Sequence, residues 1–129
     1  MARMKVFSLG VHGFIGNDVR DALGAPSHIR QARVLAVAPT KAAAVHVYAE
    51  HGFRGVRPSD SEFRVAMGND VDALAEAGLL NEPGVWVLPS AIGGGDTVVR
   101  MQPGGAPQRA GRLDRDGRNR AVFVPEEQP

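Results

Sequence analysis

The pattern of apolar and polar positions predicts that strands and helices mix in the first two thirds of the chain. A short apolar run at 5–9, which leads into Gly10, predicts a first buried strand, and a run at 33–38 predicts a second. The second run is apolar without a break from Val34 to Ala38, which indicates burial on both faces. Between these runs, Asn17 is a good N-cap for a short helix, which Gly24 ends. The first predicted elements are therefore strand, helix and strand.

Two further helices are predicted after the second strand. Thr40 is a good N-cap for the first of them, and Gly52 is suited to end it. Its apolar side chains recur at helical spacing, at Ala43, Ala44, Val47 and Tyr48. Asn69 begins the other helix, with Asp72 in the position of a capping-box partner. Its apolar stripe consists of Val71, Leu74, Ala75 and Leu79.

Short apolar stretches separated by glycine-rich turns predict only strands after residue 84. The predicted strands are 85–88, 97–101, about 108–113 and 120–124. We therefore expect an α+β or small α/β fold, with a β-α-β-α-α core followed by a small antiparallel β unit. Residues 1–125 form a single domain in this interpretation, and residues 126–129 form a flexible tail.

Length and composition narrow the class of protein. The chain has 129 residues and contains no cysteine, which excludes disulfides, cysteine-based zinc sites and a thiol nucleophile. No apolar run approaches the roughly 20 residues of a membrane span, and the N-terminus lacks the apolar segment of a signal peptide. We expect a cytoplasmic protein that does not bind membranes.

The formal net charge of +1 is the sum of three unlike segments. Residues 1–57 carry eight basic and three acidic side chains, residues 58–82 carry one and six, and residues 83–129 carry six and five. The last segment supplies the residues we expect to bind a partner, namely Arg100, Arg109, Arg112, Arg118, Arg120 and Trp86. The arginines form either a solvated surface or a surface for a phosphate backbone. Trp86 is either a core residue or an exposed aromatic anchor.

A glycine-rich segment follows the first predicted strand and precedes the first predicted helix. It reads Gly10-Val11-His12-Gly13-Phe14-Ile15-Gly16. This segment closely resembles the opening of the extended short-chain dehydrogenases and NAD-dependent epimerases. The resemblance covers about residues 4–23, and it implies that Gly10, Gly13 and Gly16 approach a dinucleotide pyrophosphate.

Other features of that family are missing. No carboxylate ends the second predicted strand, although Lys41 could meet a 2′-phosphate. The only tyrosine, Tyr48, is followed four residues later by Gly52, so the family's catalytic Tyr-x-x-x-Lys is absent. The chain is also too short for a dehydrogenase sheet and a substrate domain. What stays open is a minimal nucleotide-binding protein that uses the glycine segment.

A second resemblance covers roughly residues 33–88. Its motifs are a strand leading into an Ala-rich helix (Arg33–Ala44), a Gly-Asn-acidic helix start (Gly68–Val71) and a Pro-Gly turn into a strand (Glu82–Trp86). The layout is similar to that of small uncharacterised proteins of actinobacteria and their phages. It implies an accessory, host-interacting protein of the cytoplasm and carries no catalytic residues over.

The residues that could bind a metal or catalyse a reaction do not have the spacing or the neighbours that known sites need. His46 and His51 are five residues apart and point to different faces of one helix. The segment that starts at Asp114 superficially resembles a calcium loop, but its third ligand position is Arg118, and Asp116 is better interpreted as part of a hairpin turn. Ser90 lacks the first glycine of a nucleophile elbow. These failures predict neither cofactor nor metal and favour a non-enzymatic role.

The sequence therefore favours a small accessory protein, encoded by a phage or mobile element, that binds a host macromolecule. A protein partner is favoured over nucleic acid, and the location is then the host cytoplasm. Nucleotide binding through the glycine segment and sequence-tolerant nucleic-acid binding through the arginines are the alternatives. A homodimer also stays open, because short strands leave sheet edges that a second subunit could cover.

Overall fold

A computed structural model describes residues 4–8, 13–25, 31–53, 64–65, 68–89, 96–118 and 120–126. In chain order its elements are β1 (Lys5–Ser8), β2 (Gly13–Phe14), α1 (Asn17–Leu23), β3 (Gln31–Ala38), α2 (Lys41–Glu50), β4 (Arg64–Val65), α3 (Asn69–Glu76), β5 (Gly84–Leu88), β6 (Thr97–Met101), β7 (Pro107–Arg115) and β8 (Ala121–Pro125). The expected mixture of helices and strands is confirmed, with the sheet as the dominant part. None of the described helices is long and apolar enough to cross a membrane.

All strand pairs in the described chain are antiparallel and belong to one curled sheet. Its main strands lie in the order β1-β3-β5-β6-β7-β8, with the two-residue β4 beside β1 and the two-residue β2 paired to β3. The strands after residue 84 do not form a separate unit, because β5 pairs directly with β3 from Val37↔Gly84 to Arg33↔Leu88. The whole sheet therefore shares one core.

One face of the sheet is covered by α1 and α2. Val19 and Leu23 of α1, together with Val47 and Tyr48 of α2, pack in a buried cluster on alternate residues of the central strands. The Tyr48 hydroxyl donates to the carbonyl oxygens of Val34 at 2.9 Å and Phe7 at 3.0 Å, so it fastens α2 to two neighbouring strands. Burial raises the pKa of Tyr48 above its ordinary value of 10.0.

The opposite face is covered by α3. Val71 and Leu74 of this helix lie in a second buried cluster with Leu35, Trp86 and Val98 of the sheet. Because strand side chains alternate between faces, the continuous apolar runs of β3 and β5 supply both clusters at once. The prediction that the run at 33–38 is buried on both faces is confirmed, since Val34 to Ala38 are all buried. In β1, the other run predicted as a buried strand, only Phe7 and Ser8 are buried.

The helix ends differ in part from the sequence-based expectation. Thr40 caps α2 as predicted, since its hydroxyl accepts the Ala43 N–H at 3.1 Å, and Gly24 ends α1 in the left-handed conformation with φ of 70°. The N-cap positions of α1 and α3 are Gly16 and Gly68, and not the asparagines that follow them. Asp18 of α1 and both Asp70 and Asp72 of α3 lie in the first turns of their helices, where a carboxylate complements the helix dipole.

The β7–β8 hairpin is tied at its turn by Asp116. This carboxylate accepts the backbone N–H groups of Arg118 at 2.8 Å and Arg120 at 2.9 Å, as expected for a hairpin turn. Hydrogen bonds from the backbone N–H groups of Arg120 and then Arg118 lower the pKa of Asp116, and the Arg120 side chain adds to the shift. The turn therefore keeps its form best while the carboxylate is ionised.

Candidate functional site

A row of side chains crosses the α3 face of the sheet from the core to the surface. Strand register places Leu35 opposite Trp86, Trp86 opposite Arg100, and Arg100 opposite Gln108. The guanidinium carbon of Arg100 lies 5.6 Å from the centroid of the Trp86 ring, which is within the range of a cation–π contact. Trp86 is 4% exposed, whereas Arg100 is exposed, so the arginine covers a buried indole.

Cavities lie on both sides of this stacked pair. One, of about 360 Å³, is lined by strands β5 to β8 and by the end of α3, including Leu79, Ala110 and Phe123. The other, of about 290 Å³, lies between the pair and the turn that connects α3 to β5. Trp86 and Arg100 line both cavities, so we treat the two as one groove, the Trp86 groove.

The Trp86 groove is lined by two arginines and two glutamates. Arg100 and Arg109 both line the larger cavity, and neither forms an ion pair with the described residues. Glu126 lies in the lining of the larger cavity and Glu82 in that of the smaller one. The groove thus combines an apolar floor, two arginines available for an anionic ligand, and a carboxylate in each cavity.

The other predicted arginines lie apart from the groove. Arg112 is exposed and lies 3.7 Å from the Asp114 carboxylate. Arg118 and Arg120 belong to the β7–β8 turn, where the Arg120 side chain lies 3.4 Å from Asp116. All five predicted arginines are exposed, but only Arg100 and Arg109 share a cavity with Trp86. The five predicted arginines therefore lie in three places, namely the Trp86 groove, strand β7 and the β7–β8 turn.

The residues of the nucleotide-binding alternative lie at two helix starts. Gly16 is the N-cap of α1, Lys41 is the exposed first residue of α2, and Gly13 is in β2. Gly10 lies outside the described residues. In the dehydrogenase unit the flanking strands run parallel, but here β1 and β3 pair antiparallel. Nucleotide binding by this segment stays a prediction, on a strand arrangement that differs from the one the resemblance implies.

The described histidines have structural surroundings. The His51 side chain is 8% exposed, and its Nδ1–H donates to the Val47 carbonyl oxygen at 2.7 Å, near the end of α2. His46 is exposed on the same helix. No group of three or more histidine, aspartate or glutamate side chains within the described ranges could hold a metal ion. His12, His28 and Ser90 lie outside those ranges.

One contact that the sequence did not reveal is an ion pair between Arg33 and Asp70. It joins the central strand β3 to the start of α3, and both side chains are about one-fifth exposed. The sequence indicates only that Asp70 lies at a helix start, and a separation of 37 positions between the partners leaves no local signal of the pairing. A cavity of about 380 Å³ adjoins Asp70, lined also by Asp96, Asp114 and Arg115.

Comparisons with protein-family models, with curated proteins and with solved structures find no significant match to this chain. The function of this chain is therefore inferred from the geometry of the described residues.

Proposed function

We propose that this chain is a non-enzymatic binding protein whose partner is another protein, and that the Trp86 groove holds an acidic, partly apolar segment of that partner. The observation that carries the proposal is the exposed Arg100 guanidinium, stacked over the buried Trp86 ring between two cavities. A charged group at the centre of a groove lined by both apolar and polar residues suits a ligand that has both characters.

The stacked arrangement prepares Arg100 for a carboxylate. Contact with the indole restricts the side chain, while the edge of the planar guanidinium keeps its N–H donors available for a bidentate pair. Arg109 supplies a second positive charge in the larger cavity. Side chains such as Leu79 and Phe123 offer apolar surface to the rest of the partner segment. Partial immobilisation before binding reduces the entropy lost in the complex.

The distribution of charge favours a protein over nucleic acid. Binding to a phosphate backbone draws on a continuous row of cations. Here the exposed arginines are divided between the groove, β7 and the hairpin turn, and two of them already face carboxylates. Glu82 and Glu126 in the lining of the groove oppose a run of phosphates but leave room for single carboxylates.

We also propose an origin for the partner: this chain is encoded by a phage or mobile element, and its partner is a protein of the host cell. It rests on the resemblance over residues 33–88 and not on the groove. The partner's chemistry and its origin are therefore tested separately.

The first test is a selection from a displayed library of random peptides on the wild-type protein, with counter-selection on Arg100→Glu. We expect the selected peptides to be enriched in Asp and Glu next to apolar residues. Because Trp86 is the only tryptophan, its fluorescence then reports binding inside the groove directly. Arg118→Glu is the matched control, since it makes the same charge change on an exposed arginine of the turn.

We expect Arg100→Glu to weaken peptide binding by at least about tenfold, Arg100→Lys to weaken it less, and Arg118→Glu to leave it unchanged. Peptides without enrichment in carboxylates, or peptides that bind Arg100→Glu as tightly as wild type, contradict the proposal. Tight, steeply salt-dependent binding of an oligonucleotide that Arg100→Glu does not affect would support the nucleic-acid alternative instead.

A further inference from the structure

Strand β8 ends the sheet with an apolar edge. In the part of the chain that the structure describes, β7 is the only strand paired with β8, and it lies between β8 and the rest of the sheet. Helix α3 packs along β8, with Phe123 against the cluster of Val71 and Leu74. The strand reads Ala-Val-Phe-Val-Pro, without a charged residue, and its Val122 is 40% exposed. An exposed apolar edge strand is a template for pairing with another strand.

The hydrogen-bond pattern identifies the backbone groups that face outward. The N–H of Glu126 donates to the carbonyl of Ala110 at 2.9 Å, and the N–H of Asp116 donates to the carbonyl of Arg120 at 3.0 Å. Because hydrogen-bonded pairs alternate along an antiparallel ladder, the register directs the groups of residues 122 and 124 toward β7 as well. The backbone groups of Ala121, Phe123 and Pro125 therefore point away from β7. Proline lacks an N–H, so this edge offers two outward donors.

The sequence around Phe123 is nearly symmetric. Val122 and Val124 flank it, small or cyclic residues come next at Ala121 and Pro125, and the two ends carry opposite charges, Arg120 and Glu126. When such a strand meets its own copy in antiparallel register about Phe123, like side chains meet like in the middle and opposite charges meet at both ends. The strand is complementary to itself.

We infer that β8 pairs with β8 of a second copy of this chain, antiparallel and about a two-fold axis at Phe123. The two Phe123 residues exchange backbone hydrogen bonds, and each Ala121 N–H donates to the Pro125 carbonyl of the other copy. Val122 then lies opposite Val124, and Arg120 lies opposite Glu126. A guanidinium has enough donors to keep its contact with Asp116 and also meet Glu126.

Charge complementarity favours the register centred on Phe123 over registers shifted by one residue. A pairing centred on Val122 places Arg120 opposite Val124 and loses the match of opposite charges at the strand ends. The pairing is isologous, so it closes at two copies instead of propagating into a fibre. It uses the outward backbone groups of β8, although Phe123, Pro125 and Glu126 also line the larger cavity of the Trp86 groove. Arg100→Glu, which tests the groove, leaves these backbone groups unchanged, so the two proposals are tested by different variants.

Sedimentation velocity of the full chain provides the first test. We expect a concentration-dependent equilibrium between a 13.7 kDa monomer and a species of twice that mass. Ala121→Pro removes one outward N–H from each copy without removing a hydrogen bond to β7. It should therefore raise the dimer dissociation constant by at least about tenfold. Ala121→Ser keeps the N–H and is the matched control, with the wild-type dissociation constant expected. Thermal unfolding at a concentration where all variants are monomeric verifies that each is folded.

A charge exchange tests the register. Arg120→Glu and Glu126→Arg should each dimerise more weakly alone, because like charges then face each other at the strand ends. Mixing the two variants should restore association, since each copy then meets opposite charges on the other. A wild-type monomer at all concentrations, a dimer unaffected by Ala121→Pro, or a mixture that associates no better than its components would overturn the inference.

Discussion

Strands β5 and β8 have similar sequences and opposite surroundings. Both have five residues and neither contains a charged side chain, yet every residue of β5 is buried and none of β8 is. β5 lies between β3 and β6, and its two faces supply both core clusters, whereas β8 has a strand partner on one side only among the described residues. An apolar run therefore identifies a strand, but its burial depends on which strands pair beside it.

The buried centre of the sheet and the strands near its β8 edge also have different roles, the first in stability and the second in binding. The covered centre of the sheet holds Tyr48, Leu35 and Trp86 in fixed contacts. The strands toward the β8 edge expose their arginines, and within the described ranges β8 has no second strand partner. Both binding proposals take their charged or backbone groups from the second region, and the first region supports them, with Trp86 lying beneath Arg100. We expect mutations in the two regions to separate into effects on folding and effects on association.

The largest expected effect compares one substitution from each strand. Trp86→Ala removes a buried aromatic side chain from β5 and should lower the free energy of unfolding by about 3–5 kcal/mol. Val122→Ala in β8 removes an exposed side chain and should change the monomer by about 0.5 kcal/mol or less. Urea unfolding followed by circular dichroism measures both. Equal losses at the two positions would contradict the contrast between centre and edge.

Two glycines, one in β7 and one in β5, differ in the space around them and so test how closely β7 and β8 are packed. A Cβ at Gly111 in β7 would lie 2.2 Å from the Val124 carbonyl oxygen and 2.8 Å from the Phe123 ring, so β8 leaves no room for a side chain there. Gly111→Ala should destabilise the protein by about 2–3 kcal/mol through overpacking. Gly84 in β5 has no atom within 4 Å of such a Cβ.

Gly84→Ala is thus the matched control for Gly111→Ala. It should leave stability unchanged or raise it by up to about 1 kcal/mol, because alanine restricts the unfolded chain. Melting temperatures of the two variants decide the question. An intact, equally stable Gly111→Ala protein would mean that β7 and β8 are not packed as closely as described.

The buried hydroxyl at the centre of the sheet should give the next effect. Tyr48→Phe leaves the Phe7 and Val34 carbonyl oxygens without this donor and should cost about 1–2 kcal/mol. Denaturant unfolding measures the loss. Removal of the single tyrosine also eliminates tyrosinate absorbance, which makes the variant the blank for the following experiment.

Stability should also fall at alkaline pH because of Tyr48. Its pKa is raised in the folded state, so above pH 10.0 the unfolded chain loses the proton while the folded chain keeps it. The Tyr48 contribution is therefore present at neutral pH and declines as the pH rises above that value, by up to about 1.4 kcal/mol per pH unit. Unfolding curves between about pH 9 and 11 should show a steeper decline for wild type than for Tyr48→Phe. Parallel declines would show that Tyr48 is not the group responsible.

Local patterns allowed the elements, but not their partners, to be predicted. The bounds of β6 and the Thr40 cap of α2 follow from sequence because turn glycines and a hydroxyl next to a helix act over a few residues. The antiparallel pairing of β3 with β1 and β5 depends on contacts between distant residues, and a strand has the same apolar pattern in either direction. The sequence therefore predicts a small antiparallel β unit after the core, but it does not predict that β5 joins this unit to β3 in one sheet.

The sequence predicts which residues belong to the candidate site, but it does not predict how they contact one another. Sequence reasoning selected Trp86 and Arg100 for different reasons, one as an aromatic residue and the other as part of an arginine-rich segment. Only the β5–β6 register brings the cation over the ring. The same limit concealed the pairing of Arg33 with Asp70, because neither partner has a local signal for the other.

Two ion pairs provide the smallest expected effects and a last comparison of centre with edge. Arg33 and Asp70 join β3 to α3 with side chains 21% and 23% exposed, whereas Arg112 and Asp114 lie in β7 at 54% and 57%. Water and salt screen the exposed pair, and ordering two free side chains offsets most of its attraction. Double-mutant cycles with alanine should give a coupling of about 1 kcal/mol for the first pair and about 0.3 kcal/mol or less for the second. Raising the salt concentration should reduce the second coupling more. Equal couplings would show that the start of α3 is as open to solvent as the edge of the sheet.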